Sequence, residues 1–275
     1  DFPDAESSLL LLKSMKSLHL EELDGLVTEL FMEYPDNSEI AYEFAQQCLR
    51  NGDYQKSTQI LKTLMGDKHK ISDWVITYAN AAVGLDPKWA RKSTSATEIE
   101  LNQVLRELNI HLGDSPENSK GQLLQAEILL QKGSIEEAHG ILSRLLDNNS
   151  GNEKTWVERI QTWFAWTAAS LGKFDVALAS IRDVVEAEPQ WIGAQQVLAE
   201  IIAMTDDVQA AVEQAERILE LAPEIVDNQL WVGDFFSRLG EDEKAEKVFL
   251  DGAQLDPNDV RFDLALIALY NRLGK

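Results

Sequence analysis

Apolar residues recur at helical spacing along most of the chain, and prolines divide this pattern into stretches of equal length. Pro189, Pro223 and Pro257 lie 34 residues apart, and each closes a stretch with the same order of apolar, small and polar positions. Within a stretch, positions 4, 7, 8 and 11 share one helical face, and positions 20, 24 and 27 share another. The pattern therefore predicts a first and a second helix in every 34 residues.

Turn-forming and small residues support this division in the stretch 226–259. Gly240, at position 15, supplies the left-handed turn that ends the first helix, and Pro257, at position 32, stops the second. Gly233 and Ala245 are small residues that allow the two helices to approach closely. One such unit cannot bury its own apolar face, so the units are predicted to stack into a solenoid.

The order of residues in these stretches resembles the tetratricopeptide repeat. The stretches 158–191 and 192–225 repeat the order in register with 226–259. The resemblance implies an all-α fold, a right-handed superhelical α-solenoid of antiparallel helix pairs with about seven units and a terminal helix. The residues that carry it in 226–259 are Val232, Gly233, Phe236, Gly240, Ala245, Phe249 and Pro257.

The units are predicted to form one solenoid over 1–275, with two departures from the period. The unit 72–118 is about 13 residues longer than the others and contains an inserted loop over 84–95. Five extra residues, 153–157, are expected to lengthen the first helix of the next unit. The chain opens without Met, so we expect an excised or processed segment. Its last helix is followed by the turn glycine Gly274, and we interpret it either as a capping helix or, preferably, as the first helix of an eighth repeat that is cut there. The predicted units are 4–37, 38–71, 72–118, 119–152, 158–191, 192–225 and 226–259, followed by a terminal helix over 260–275.

The net charge of the chain indicates which kinds of partner it can attract. The chain has 47 acidic and 25 basic residues, a net charge of -22, spread over both halves. Such a field repels phosphate backbones, so a basic or apolar partner is favoured over nucleic acid, unless the acidity only keeps the surface hydrated. The lone Cys48 excludes an internal disulfide and favours the cytoplasm, although a disulfide-free periplasmic protein has the same composition. No apolar run is long enough to predict membrane insertion.

The resemblance also implies which residues face a partner, because first helices line the concave groove of the family. Tryptophans there alternate with carboxylates, a combination that suits a basic or apolar peptide through cation–π contacts and charge-assisted hydrogen bonds. The same tryptophans would alternatively be packing residues of degenerate repeats. The Lys and Asn set that grips chaperone C-terminal tails in this family is absent. The groove candidates are Tyr42, Asn80, Glu127, Trp163, Trp166, Glu200, Trp231 and Asp234.

Two further features have open interpretations. The inserted loop is locally basic and is interpreted either as a partner contact or as a tolerated surface loop; its candidates are Lys88, Trp89, Arg91 and Lys92. Glutamine recurs at position 4, where the family prefers an apolar residue. In one interpretation these amides form hydrogen bonds to loop backbone or to a ligand. In the other, the apolar residue that packs the first helix is at position 6 instead of position 4. The glutamines are Gln122, Gln161, Gln195 and Gln229, and the residues at position 6 are Leu124, Trp163, Val197 and Trp231.

No residue pattern predicts catalysis. The four histidines are scattered, no glycine-rich phosphate loop occurs, and no serine is paired with a positioned histidine, so no enzyme activity, metal or cofactor is predicted. The sequence predicts a non-enzymatic protein–protein interaction scaffold that binds a peptide or helical segment in an acidic, Trp-bearing groove. The alternative is a glycan-contacting or assembly module of a bacterial polysaccharide-export or secretion system, since tryptophan flanked by carboxylates also stacks on sugars.

Overall fold

The computed structural model describes residues 4–17, 23–65, 72–83, 98–148 and 154–274. Within these ranges the chain folds into fifteen α-helices and no strand. It divides into two compact units, Asp1–Ile141 and Leu142–Lys275. The predicted fold class, an all-α solenoid of helix pairs, is confirmed.

Both units are built of successive α-helices. The first unit holds α1 (Ala5–Ser17), α2 (Leu23–Glu33), α3 (Ser38–Arg50), α4 (Tyr54–Met65), α5 (Ser72–Val83), α6 (Glu98–Asp114) and α7 (Ser119–Gln131), and α8 (Ile135–Asp147) crosses the boundary. The second unit holds α9 (Lys154–Ser170), α10 (Phe174–Ala187), α11 (Ile192–Ala203), α12 (Val208–Leu221), α13 (Val226–Leu239), α14 (Asp242–Leu255) and α15 (Val260–Leu273). The 17-residue α9 includes 154–157, so four of the five extra residues lengthen this helix as predicted, and Glu153 lies outside the described residues.

Packing within each unit separates odd-numbered from even-numbered helices. Neighbours in sequence pack as pairs, such as α3 with α4 and α13 with α14. Odd-numbered helices also contact the next odd-numbered helix, as α3 does α5 in the first unit and α13 does α15 in the second. We call the odd-numbered helices of a unit its first-helix layer, because most of them correspond to the first helices predicted from the sequence.

Left-handed residues end the first helices, as the glycine at position 15 predicted. Gly240 caps α13 with φ 81°, three other glycines between paired helices have φ between 75° and 78°, and Gly274 caps the last described helix, α15, with φ 68°. In the 192–225 stretch this position holds Asp206, with φ 62°, the sole non-glycine residue with positive φ in the described chain. A left-handed conformation costs an L-residue about 1 kcal/mol or more, so this turn is strained.

Close approach of the paired helices depends on glycine at one position. A Cβ added to Gly233 of α13 would lie 2.3 Å from Cε1 of Phe249 in α14. Phe249 is 1% exposed and lies in the core of the second unit with Phe235, Phe236 and Phe262. The small residue predicted at this position therefore has a packing role. The core of the first unit is built around Trp74, Tyr78 and Leu108.

Candidate functional site

Tyr42 lies on α3, in the first-helix layer of the first unit, and its side chain contacts residues of both α3 and α5. Its hydroxyl accepts a hydrogen bond from Nε2 of Gln46 (2.9 Å) and lies 3.0 Å from Oγ1 of Thr77 in α5. Its ring stacks on Trp74, with centroids 5.6 Å apart and an interplanar angle of 28°. Burial raises the pKa of the Tyr42 hydroxyl, which stays protonated and able to donate. The ring is therefore fixed in place.

A pocket of roughly 170 Å³ opens beside this ring, between α1, α3 and α5. Its apolar wall is formed by leucines and the two stacked aromatic residues, and its rim carries three carboxylates and one ammonium group. The ammonium Nζ of Lys13 lies 2.8 Å from Oε2 of Glu39. We name it the Tyr42 pocket; it is lined by Leu9, Leu12, Lys13, Glu39, Tyr42, Glu43, Asp73 and Trp74.

The other two groove candidates in the first unit are Glu127 and Asn80. Glu127 is in α7 but only 2% exposed, so its carboxylate is buried within the unit rather than presented to solvent. Asn80 belongs to α5, and its side chain lies outside the described part of the structure. The loop candidates Lys88, Trp89 and Arg91, together with Lys92, also lie outside the described residues.

In the second unit, Trp163 and Trp166 lie on α9, and each is partly exposed. The buried residues of the helix include three alanines, since Ala165, Ala168 and Ala169 are each no more than 3% exposed. Ile160 and Thr167 of the same helix are also fully buried, whereas part of each indole ring remains accessible to solvent.

Trp231 anchors an ordered stack in the same unit. Its ring stacks on the buried Phe235 with centroids 5.0 Å apart and an interplanar angle of 13°. The guanidinium of Arg238 lies 5.2 Å from the Phe235 centroid and donates to both Glu200 oxygens, at 3.1 and 2.5 Å. This stack links α11 to α13 and leaves the Trp231 ring partly exposed. The Trp231 ring thus packs on the core and also reaches solvent, and its contact with a partner stays a prediction.

The carboxylates of this surface are less uniform than the sequence suggested. Glu200 is 9% exposed and its charge is compensated by Arg238, so it adds little net negative charge to the surface. Asp234, on the same helix as Trp231, is partly exposed. Because Glu200 pairs with Arg238, it helps to order the stack. Sequence reasoning missed this ion pair.

The recurring glutamines bond to loop backbone. The side-chain amide of Gln195 donates to the carbonyl of Pro189 at 2.7 Å, and that of Gln229 donates to the carbonyl of Pro223 at 2.9 Å. Gln122 makes the same bond to Pro116 at 2.5 Å. The amide thus ties the start of a first helix to the turn before it, six residues earlier. Of the interpretations left open, the bond to loop backbone is confirmed at these three residues.

Position 6 is buried where its residue is aliphatic. Leu124 is 3% exposed and Val197 is 1% exposed, so this position faces the interior in α7 and α11. Trp163 and Trp231 occupy the same position, and their larger rings extend beyond the buried region. The partial exposure of these two tryptophans therefore follows from their size.

The described residues contain neither a metal-binding cluster nor a membrane-spanning helix. Among these residues, no group of three or more His, Cys, Asp or Glu side chains is placed to hold a metal ion. No helix within the described ranges is long and apolar enough to cross a membrane. Cys48 is buried in α3, and burial raises the pKa of its thiol.

Comparison with known proteins identifies the fold. No protein-family model matches the chain, and no curated protein matches it significantly. A tetratricopeptide repeat protein from Parabacteroides merdae is similar, with a TM-score of 0.68 and 13% identity over 96% of this chain and 98% of that one. The type IV pilus biogenesis factor PilW has a TM-score of 0.59 and 15% identity, over 83% of this chain and 98% of that one.

A third similar structure is that of the APC/C hetero-tetramer Cut9–Hcn1. Its TM-score is 0.58 at 12% identity, and the match covers 97% of this chain but 49% of that one. The chain therefore has the helical-repeat fold of the tetratricopeptide repeat proteins.

Proposed function

We propose that this protein is a non-enzymatic scaffold that binds a peptide or helical segment of a partner protein on its first-helix layers. The observation that carries the proposal is the stack of Trp231, Phe235, Arg238 and Glu200, which holds one large aromatic ring fixed and partly exposed. Partly exposed aromatic residues in rigid surroundings are typical anchors of protein interfaces, because they bury much area at little cost in conformational entropy.

The character of the partner follows from charge. At a net charge of -22, the chain attracts cationic segments at long range and repels nucleic acid. Asp234 beside the Trp231 stack, and the rim of the Tyr42 pocket, extend this preference to the first-helix layers. A basic segment with apolar side chains is therefore the partner we propose. The similar Cut9–Hcn1 structure is itself a hetero-tetramer of two different proteins.

A peptide-display selection followed by affinity measurement tests the proposal. The folded protein is used to select from a random peptide library, and the enriched peptides are expected to be basic and apolar. Trp166→Ala and Trp231→Ala should each weaken binding by more than about 1 kcal/mol, roughly fivefold, if the rings are interface anchors. Trp191→Ala is the matched control, since this partly exposed Trp precedes α11 rather than lying on a first helix.

Two results would contradict the proposal. Unchanged affinity in folded Trp166→Ala and Trp231→Ala variants would remove both rings from the binding surface. Binding of neutral or cationic polysaccharides with no enrichment of peptides would favour the glycan-contacting alternative instead. Because Trp231 also packs on the core, Asp234→Lys serves as a second variant there, and it should repel a basic peptide without creating a cavity.

A further inference from the structure

The Tyr42 pocket is a partly open cavity in the first-helix layer of the first unit. Its volume of roughly 170 Å³ equals that of about five or six water molecules. Pockets that hold whole small-molecule ligands are larger, at about 300 Å³ or more. The cavity therefore matches a single long side chain and excludes a helix or a bulky ligand.

The walls and rim of the Tyr42 pocket favour a side chain that is apolar along its length and cationic at its end. Leu9, Leu12 and the stacked Tyr42 and Trp74 supply apolar surface, and Trp74 is only 5% exposed, so it forms the wall rather than the entrance. Among the charged residues that line the pocket are three carboxylates, those of Glu39, Glu43 and Asp73, and one ammonium, that of Lys13. An excess of carboxylates beside aromatic faces favours ammonium or guanidinium groups.

The ammonium of Lys13 is a cationic group already present at the rim of the Tyr42 pocket. This ammonium lies 2.8 Å from Glu39, while the Lys13 side chain is 60% exposed, so it occupies the edge of the pocket and leaves the cavity open. An incoming cation would share the rim with Lys13 and be repelled by it. Lys13 thus lowers the affinity of the pocket for a second cation.

We propose that the Tyr42 pocket accepts one lysine or arginine side chain of the bound protein segment, in competition with Lys13. The inference rests on the proposed function, since it names a contact that the partner would make on the first unit. Charge changes at the rim should consequently act in opposite directions. Removing carboxylates weakens binding, whereas removing the Lys13 ammonium strengthens it.

The experiment uses 5-fluorotryptophan-labelled protein and fluorine NMR, with a peptide of alternating lysine and alanine as the probe. The resonance of Trp74, one of seven tryptophans, is assigned with Trp74→Phe and should shift on titration. The Glu43→Gln/Asp73→Asn double variant should weaken the affinity read at Trp74 by about five- to tenfold, and Lys13→Gln should strengthen it about two- to threefold. Glu29→Gln/Asp36→Asn is the matched control, because it removes the same charge from exposed residues outside the pocket.

The outcomes separate this inference from the proposed function. Equal weakening in the pocket and control variants, or weaker binding in Lys13→Gln, would overturn the pocket assignment. A lysine peptide that binds without moving the Trp74 resonance would also overturn it while leaving the proposed scaffold function intact. A probe in which every lysine is acetylated should lose the Trp74 shift, and a retained shift would show that the cation is not what the pocket recognises.

Discussion

Adding one methyl group at Gly233 should destabilise the second unit, although the same exchange stabilises an ordinary helix. Alanine is better than glycine in a helix interior by about 1 kcal/mol. At Gly233, however, the new Cβ would lie 2.3, 2.6 and 2.8 Å from three atoms of the Phe249 ring. Carbon atoms pack best at about 3.5–4.0 Å, so the ring would have to retreat by more than about 1 Å.

The structure leaves little room for that retreat. Phe249 is 1% exposed and lies in a core with Phe235, Phe236 and Phe262. Overpacking of this kind costs about 1–3 kcal/mol, and contacts this short place Gly233 at the upper end of the range. After the gain in helix propensity, the expected net loss is about 2 kcal/mol.

Urea unfolding followed by circular dichroism measures this effect, with Gly140→Ala as the matched control. Gly140 lies inside α8, and a Cβ added there meets nothing within 4 Å, so that variant should gain stability. Gly233→Ala should lower the midpoint, and adding Phe249→Leu should recover part of the loss through a coupling above about 0.5 kcal/mol. An equal rise in midpoint for both alanine variants would refute the packing argument.

Three further predictions concern single residues. Asp206→Gly should raise stability by about 1 kcal/mol in urea unfolding, because glycine adopts the left-handed turn without strain. Cys48 should react slowly with a thiol reagent in the native state and fast in urea, since the thiol is buried and its pKa is raised. Arg261 lowers the pKa of Asp259 below its ordinary 3.8, so their contribution is complete above that pH and is lost as the pH falls through the folded value. Thermal melts should therefore show a smaller acid-induced loss in Arg261→Gln than in the parent chain.

Local signals in the sequence predicted much of the fold. Gly240 at position 15 and Gly233 at position 8 have the left-handed turn and the tight helix contact expected of them, because each role depends on one residue and its own helix pair. Asp206 lies at the equivalent position one repeat earlier and adopts the same left-handed conformation, which the absence of a glycine there did not predict.

Contacts between successive repeats were harder to predict. Arg238 pairs with Glu200 across 38 residues, a separation of one repeat plus one helical turn. That spacing is visible in the sequence, and a search for opposite charges one repeat and one turn apart would have found it. Trp74 and Tyr42 meet because α5 packs beside α3, a geometry that periodicity alone does not specify. The burial of Glu127 likewise depends on how closely its neighbours pack.

The central claim is that a partner segment binds to the odd-numbered helices. Photo-crosslinking tests it most directly: a selected peptide carrying a benzophenone group is irradiated with the protein, and the attached residues are identified by mass spectrometry. The account predicts attachment to α1, α3 and α5 in the first unit or to α9, α11 and α13 in the second. Attachment confined to even-numbered helices such as α4, α10 and α12 would contradict it.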